Sequence, residues 1–258
     1  MPAAVLVLAA LVVYSLDDLG FFDQERLARA GENFVRYAPE FVPAPLDDHF
    51  QTLLWDAIRE TLQMAFLGTL LGALIGLPLA VLAARPLTGP VVSRGVRLFL
   101  AFVRTVPSLV WALFFIILFG LGPIPGVLGI TLYTVGFVGK LYYESLEGLD
   151  PDVLEAVRAT GATRFQLVRH AAIPEAANAA VSHILYAFEY NIRASSVLGF
   201  VGAGGIGLLL DHYKGLLDYH RLVTTILVLF ALVVAIDAAS RFIRKRYLLQ
   251  AETAAGAS

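Results

Sequence analysis

Long apolar runs separated by short polar segments dominate this chain, and they predict helices that cross a membrane. About 20 apolar residues span the roughly 30 Å hydrocarbon core of a bilayer. The run 62–84 carries no charged residue and fits that length. Four further runs, none with more than two charged residues, cover 98–121, 122–139, 176–210 and 222–240. We expect each of these five runs to form a transmembrane helix.

A shorter apolar run, 2–16, is predicted to be a first transmembrane helix. The core of a signal peptide is the alternative, but no Lys or Arg precedes the run and no clear cleavage site precedes Asp17 and Asp18. An uncleaved first helix brings the expected number of spans to six. The polar segment that follows is interrupted by three prolines, and its part 21–37 is predicted to be an amphipathic helix at the membrane surface.

These runs place the chain in the all-α class, as a polytopic protein with about six transmembrane helices. They also divide it into four parts. We expect a short transmembrane helix at 1–16, an outer connector at 17–59, a helical core at 60–247 and a tail at 248–258.

The composition supports a membrane protein and excludes several other classes. Apolar residues make up 58% of the 258 residues and charged residues 16%, against roughly 45–50% and about 25% in soluble domains. Such values exclude a disordered chain. The net charge of −2 provides no basic field for nucleic acid, so we expect a lipid bilayer and no nucleic acid among the partners.

The sequence also lacks the common motifs of catalysis and metal binding. Cysteine is absent, which excludes a disulfide framework, a cysteine-ligated zinc site and a thiol nucleophile. The five histidines show no metal-binding spacing, and neither a P-loop nor a G-x-S-x-G motif occurs. We therefore expect no catalytic residue, no metal and no cofactor.

The distribution of basic residues predicts the orientation in the membrane. The segment 85–97 carries three arginines and no acidic residue, and 241–246 carries four basic residues. The connector 17–59 carries nine acidic residues and four arginines. Because basic loops remain in the cytoplasm, we expect both termini and the segment 141–175 inside and the connector outside.

The inner loop 144–174 is predicted to fold into two short helices. Asp150 followed by Pro151 is typical of a helix start. Gly161 is placed to end this helix because glycine readily adopts positive φ, and Thr163 is placed to cap the next one. Such a pair of helices exposes apolar side chains unless a partner covers them.

The same loop carries a motif of a known family. The residues EAV at 155–157, Gly161 and AAIP at 171–174 have the spacing E-A-A, three residues, G, nine residues, I-x-L-P. This pattern resembles the EAA loop of ABC importer permeases. Val157 stands in place of the second alanine and Ala171 in place of isoleucine, and both changes keep an apolar residue.

The resemblance implies a type I ABC importer permease bundle that forms a homodimer in the bacterial cytoplasmic membrane. It also implies two copies of a separate ATPase subunit, which would hydrolyse ATP, and a periplasmic or lipid-anchored solute-binding protein. The loop would dock into a groove on the ATPase. The residues implied in this coupling are Glu155, Ala156, Val157, Gly161, Ala162, Phe165, Ile173 and Pro174.

A second motif indicates which kind of ABC importer permease the chain resembles. Residues 186–207 read YAFEYNIRASSVLGFVGAGGIG. They resemble the signature of phosphonate importer permeases, F-E-x-N-x-R-x-S-x-V-L-G followed by G-A-G-G-I-G. The glycine block alone is shared with permeases for other substrates such as methionine, so the Glu-Asn-Arg run is what favours phosphonate or phosphite.

The glycines of this motif predict a break in the helix. Four glycines in six residues cannot hold a stable helix, so we expect a flexible re-entrant or loop segment that faces protein or a water-filled cavity near the outer face. The segment also spells G-x-G-x-x-G, but no βαβ unit surrounds it, which argues against a dinucleotide site. The glycines concerned are Gly199, Gly202, Gly204, Gly205 and Gly207.

A few polar residues within the spans are candidates for the translocation path or its gate. Glu189 and Arg193 are four residues apart and are expected to form a pair, as a structural lock or as a lining of an anion path. Asp237 and Arg241 have the same spacing and are expected to pair. The path or gate candidates are Arg104, Pro107, Glu189, Asn191, Arg193 and Ser195.

Two of these candidates have a simpler reading. Arg104 lies near the cytoplasmic end of its span, where snorkelling to the interface is the alternative to a gate or substrate contact. Pro107 is expected to kink its helix. Asn191 projects to a different face from Glu189 and Arg193.

We therefore expect a permease subunit that carries a phosphonate, phosphite or related oxyanion and performs no catalysis itself. A permease for methionine or another small solute is the alternative within this class. An intramembrane enzyme or a passive channel is the alternative from another class. An enzyme requires convergent catalytic groups, which the sequence does not offer, and a channel has no need of a loop that docks on an ATPase.

Overall fold

The computed structural model describes residues 2–248, and within that range the chain folds into twelve α-helices and no strand. The predicted all-α class is therefore confirmed. Most of the predicted tail lies outside the described residues. In chain order the helices are α1 (Pro2–Asp18), α2 (Gln24–Tyr37), α3 (Asp48–Ala83), α4 (Arg85–Thr88), α5 (Pro90–Thr105), α6 (Ser108–Phe119), α7 (Pro123–Glu147), α8 (Pro151–Ala159), α9 (Arg164–Leu167), α10 (Ile173–Leu198), α11 (Gly205–Gly215) and α12 (Tyr219–Ile243).

By length and composition, fewer helices than the expected six qualify as membrane spans among the described residues. The helices α3, α7 and α12 are each long and apolar enough to cross a membrane. The bent pairs α5–α6 and α10–α11 raise the count to at most five within residues 2–248. The helix α1, the sixth expected span, has 17 residues and buries none of them. The helix α3 begins at Asp48 and thus includes residues 48–59, which the polar pattern assigned to the connector.

The expected span 98–121 is a sharply bent pair of helices. The axes of α5 and α6 meet at 83° across Val106 and Pro107. Pro107 has no amide hydrogen to donate to Val103, four residues earlier, so the helix loses this hydrogen bond at the bend. The indole Nε1 of Trp111 donates to the Val103 carbonyl instead, at 3.0 Å. Both arms are apolar, so the apolar pattern alone could not separate them, although the expected kink at Pro107 is confirmed.

The helix α7 lies at the centre of the bundle and contacts α3, α5, α6 and α10. A Cβ on Gly136 would lie 2.8 Å from the backbone nitrogen of Arg104 in α5. A Cβ on Gly129 would lie 2.8 Å from the carbonyl oxygen of Ser108 in α6. The two arms of the bent pair therefore rest on α7 at glycines, and close approach at small residues is typical of membrane helices.

The connector is attached to the start of α12. The Asp47 carboxylate accepts a hydrogen bond from the Phe50 amide at 2.8 Å and pairs with Arg221 at 3.2 Å. The Phe50 amide holds the pKa of Asp47 below its ordinary value, so this cap stays ionised at neutral pH. The Ala44 amide donates to Thr224 Oγ1 at 2.8 Å. The expected amphipathic helix is present as α2, which buries none of its residues.

The same substitution at two helical glycines should have opposite effects on stability. We expect Gly136→Ala to destabilise the protein by about 1–3 kcal/mol, because the new methyl group presses on the α5 backbone. Gly95→Ala is the matched control in α5, where nothing lies within 4 Å of the Cβ position. It should stabilise by up to about 1 kcal/mol through helix propensity. Thermal unfolding in detergent measures both, and equal shifts would contradict the close contact of α5 with α7.

Candidate functional site

The loop 144–174 folds into two capped helices. The side chain of Asp150 accepts a hydrogen bond from the Asp152 amide at 3.0 Å and starts α8. Gly161 follows α8 with a φ of +80°, a conformation that residues with a Cβ disfavour. The Thr163 hydroxyl accepts from the Gln166 amide at 3.3 Å, and the Gln166 side chain accepts from the Thr163 amide at 2.8 Å. The two predicted caps and the glycine stop are therefore confirmed.

This loop has one anchored face and one exposed face. Leu154, Leu167 and Ala172 are buried in a cluster with the C-terminal ends of α3 and α7. The ring of Phe165 is 71% exposed. The other residues that the motif singled out are half-buried (Val157 and Ala162) or exposed (Glu155, Ala156, Gly161, Ile173 and Pro174). An exposed apolar surface beside charged residues is typical of a protein-binding face.

Three arginines tie the loop to the turn between α3 and α5. Arg97 pairs with Glu147, and the Glu147 carboxylate also accepts a hydrogen bond from the Arg85 amide at 2.9 Å. Arg158 of α8 donates to the Pro86 carbonyl at 2.9 Å. Because these contacts join α4, α5, α7 and α8 at one end of the bundle, the loop cannot shift without displacing the helix ends.

Two ion pairs connect α10 with α12 and with Arg244, the residue that directly follows α12. Arg193 Nη2 lies 2.9 Å from Asp237 Oδ1 and 3.0 Å from Oδ2. Glu189, which is buried, pairs with Arg244. The expected pairs Glu189–Arg193 and Asp237–Arg241 are therefore wrong. The spacing i, i+4 permits contact within one helix, but α12 runs alongside α10 and offers each charge a closer partner.

Asn191 and Ser195 are enclosed by protein. Asn191 Nδ2 donates to Thr69 Oγ1 and to Thr134 Oγ1, both at 2.9 Å, and so joins α10 to α3 and α7. Its Oδ1 atom is buried without a partner in the described part of the chain. The Ser195 hydroxyl donates to the Ile192 carbonyl at 2.8 Å. In this conformation neither side chain lines an open path, and Asn191 faces away from the charged residues as expected.

The glycine-rich segment forms a turn that side chains of α3 close. Gly204 and Gly205 have φ values of +89° and +69°, so the α-helix cannot pass through them. The Gly205 amide donates to Glu60 Oε2 at 2.6 Å, and the Ile206 amide donates to Thr61 Oγ1 at 2.9 Å. The predicted break is therefore confirmed, with Gly202 also at positive φ.

The segment faces protein, one of the two expected surroundings, and its close packing argues against the expected flexibility. A Cβ on Gly207 would overlap the Ser196 carbonyl, and a Cβ on Gly199 would overlap the backbone at Gly207. Sequence reasoning missed Glu60 and its neighbour on α3 as the partners of this turn. The available signal was the start of α11 itself. The first amide groups of a helix have no acceptor within the helix, so a side chain elsewhere in the protein is expected to accept their hydrogen bonds.

The remaining candidates lie at the bend between α5 and α6. Pro107 forms the bend, and Arg104 precedes it at the end of α5 with an exposed side chain. Within residues 2–248 no Asp or Glu pairs with Arg104. In the same range no three His, Asp or Glu side chains converge as a metal site.

The comparison with known families identifies the bundle and its loop. A family described as "Binding-protein-dependent transport system inner membrane component" matches residues 76–248, more than half of the chain. The chain belongs to this family. The protein is therefore an inner-membrane permease subunit, and the matched range includes the loop 144–174, the bent pairs and both α10–α12 ion pairs.

Individual relatives agree with this assignment. The phosphite transport system permease protein PtxC of Stutzerimonas stutzeri is 34% identical over 230 residues, which cover 89% of this permease and 83% of PtxC. The phosphate-import permease protein PhnE of Mycolicibacterium smegmatis is 36% identical over 221 residues, which cover 85% of this permease and 41% of PhnE.

A solved structure agrees as well. A chain of the MetNI methionine ABC transporter, in inward facing conformations, has a TM-score of 0.69 at 26% identity. The match covers 78% of this permease and 98% of that chain. The permease thus has the fold of an ABC importer subunit, as the loop motif implied.

Double-mutant cycles should separate the two possible partners of Arg193. We expect Arg193→Ala and Asp237→Ala to show a coupling free energy of about 1 kcal/mol or more, because the atoms are in contact. Glu189→Ala with Arg193→Ala is the matched comparison within α10, and it should be additive within roughly 0.5 kcal/mol. Thermal unfolding in detergent provides the values. A larger coupling for the pair within α10 would restore the intrahelical assignment.

Proposed function

We propose that this permease forms a homodimer whose two copies enclose a path for phosphite or a phosphonate. Each copy would bind one ATPase subunit through the loop 144–174. A periplasmic or lipid-anchored solute-binding protein would deliver the substrate to the opposite end. ATP hydrolysis belongs to the ATPase, and the permease itself catalyses no reaction.

The observation that carries this proposal is that the loop 144–174 has one buried, anchored face and one exposed face. Its buried leucines fix it to the ends of α3 and α7, whereas Glu155 and Phe165 are exposed. A surface that is rigidly attached on one side and apolar and exposed on the other suits a partner that pushes on the bundle. Rigid-body rocking of packed helices is an established mode of conformational coupling.

The substrate class rests on two observations. PtxC is named for phosphite transport and PhnE for phosphate import, and both are more than 30% identical to this permease. The sequence run from Phe188 to Gly199 also resembles the phosphonate permease signature. Methionine is the second candidate, because the name of the MetNI transporter specifies it.

The orientation follows from the same loop. Arg158 of the loop contacts Pro86, and Arg97 contacts Glu147, so the basic segment 85–97 shares one end with the loop. Because the ATPase acts in the cytoplasm, the end of the bundle that carries the loop is the cytoplasmic end. The excess of basic residues at this end agrees with that orientation. The connector then lies outside. With α1 as a further span, both termini are cytoplasmic.

Uptake measurements test the substrate class. In a strain that lacks the gene, we expect uptake of labelled phosphite or methylphosphonate to be lost and to return with the intact gene. Methionine uptake is the control and should not change. Loss of methionine uptake with normal phosphite and phosphonate uptake would favour the second candidate and contradict the first.

Gly161→Asp should separate the permease from its ATPase without unfolding the bundle. The position has a φ of +80° and open space around its Cβ, so the new carboxylate points into the docking surface. Gly120→Asp is the matched control, with a φ of +79° and open space at the opposite end of the bundle. Each variant carries about 1–2 kcal/mol of backbone strain, so their melting temperatures should be similar.

Co-purification with the ATPase distinguishes the two variants. We expect Gly161→Asp to lose the ATPase and uptake, and Gly120→Asp to retain the ATPase. Because the ATPase is cytoplasmic, the same result tests the orientation of the loop. Full ATPase binding and uptake by Gly161→Asp would show that the loop is not the docking site.

A further inference from the structure

Four aromatic rings on α7 and α10 form a stacked surface, which we name the aromatic shelf. Tyr133 lies 5.5 Å from Tyr190 and 6.0 Å from Phe137 between ring centroids, with the planes within 23° and 11° of parallel. Tyr186 lies 6.0 Å from Phe137. Tyr186 and Tyr190 are 49% and 38% exposed. Phenol hydroxyls in hydrocarbon lack partners, so this surface suits a water-filled path better than lipid.

Arg104 lies beside the shelf and supplies a positive charge. Its backbone rests on Gly136, one turn along α7 from Tyr133, and its side chain is exposed. The guanidinium of Arg193, three residues from Tyr190 on α10, is neutralised by Asp237. Arg104 has no such partner among the described residues, and guanidinium groups bind phosphate-like anions in a forked geometry.

We propose that Arg104 and the hydroxyls of Tyr133 and Tyr190 form a transient site for phosphite or phosphonate in the path. The faces of Phe137 and Tyr186 would pack against the apolar substituent of the anion. The anion oxygens accept hydrogen bonds, and the guanidinium and the two hydroxyls can donate them. One cation with neutral donors holds an anion weakly enough to release it. This site rests on the proposed function.

Uptake by the complete importer, reconstituted with its ATPase and binding protein, tests the site. Arg104→Gln should lower phosphite uptake roughly tenfold to a hundredfold, the effect of losing one charge-assisted hydrogen bond. The double variant Tyr133→Phe/Tyr190→Phe should also lower it, and Arg104→Lys should retain part of the uptake. Arg94→Gln is the matched control, because this arginine is exposed on the same helix and lies ten residues from the site.

A binding measurement complements uptake. The chain contains no cysteine, so Tyr186→Cys introduces a single thiol beside the site. We expect phosphite to slow the reaction of this thiol with an anionic methanethiosulfonate reagent, and Arg104→Gln to remove the protection. Val91→Cys, on the exposed start of α5, should react at the same rate with and without phosphite.

Each outcome is decisive. If the wild-type importer carries phosphite and the Arg104→Gln and tyrosine variants carry it equally fast, the site is wrong and the proposed function stands. If the wild-type importer carries neither phosphite nor phosphonate, both are wrong. If the shelf instead packs against the second copy, the variants dissociate the dimer and phosphite does not protect Cys at position 186, which overturns the site.

Discussion

Every interruption of a helix within the bilayer frees backbone groups that only the protein can satisfy, and this constraint determines the geometry of the bundle. At the bend between α5 and α6, Trp111 supplies to Val103 the hydrogen that Pro107 lacks. At the start of α11, Glu60 accepts the amide of Gly205. Because a side chain closes each break, the bends have a defined angle, and the side chains beside them are held in fixed positions.

The charges of α10 are neutralised by a neighbouring helix rather than along α10 itself. Arg193 pairs with Asp237 of α12, and Glu189 pairs with Arg244, which directly follows α12. A path for an anion benefits from this arrangement. Strong fixed charges would bind the anion and retain it, whereas paired charges leave the potential beside the aromatic shelf to Arg104 and to neutral hydroxyl groups.

Local signals in the sequence predicted much of the architecture, but they did not predict the contacts between helices. The apolar runs, the caps at Asp150 and Thr163 and the positive φ at Gly161 depend on neighbouring residues, so a linear pattern contains them. The partner of Arg193 lies 44 residues away on another helix, and no spacing rule reaches that far. Glu60, which precedes the apolar run 62–84, was given no role in the sequence analysis, because its role depends on a turn 145 residues later.

The attachment of the loop 144–174 to several helix ends has a mechanical consequence. Leu154 and Leu167 sit in one cluster with α3 and α7, so the loop is a rigid extension of both helices rather than a hinged flap. The 25 residues of α7 make a lever about 37 Å long at 1.5 Å per residue. A rotation of about 5° at the loop therefore moves the far end of α7 by about 3 Å, roughly the diameter of a water molecule.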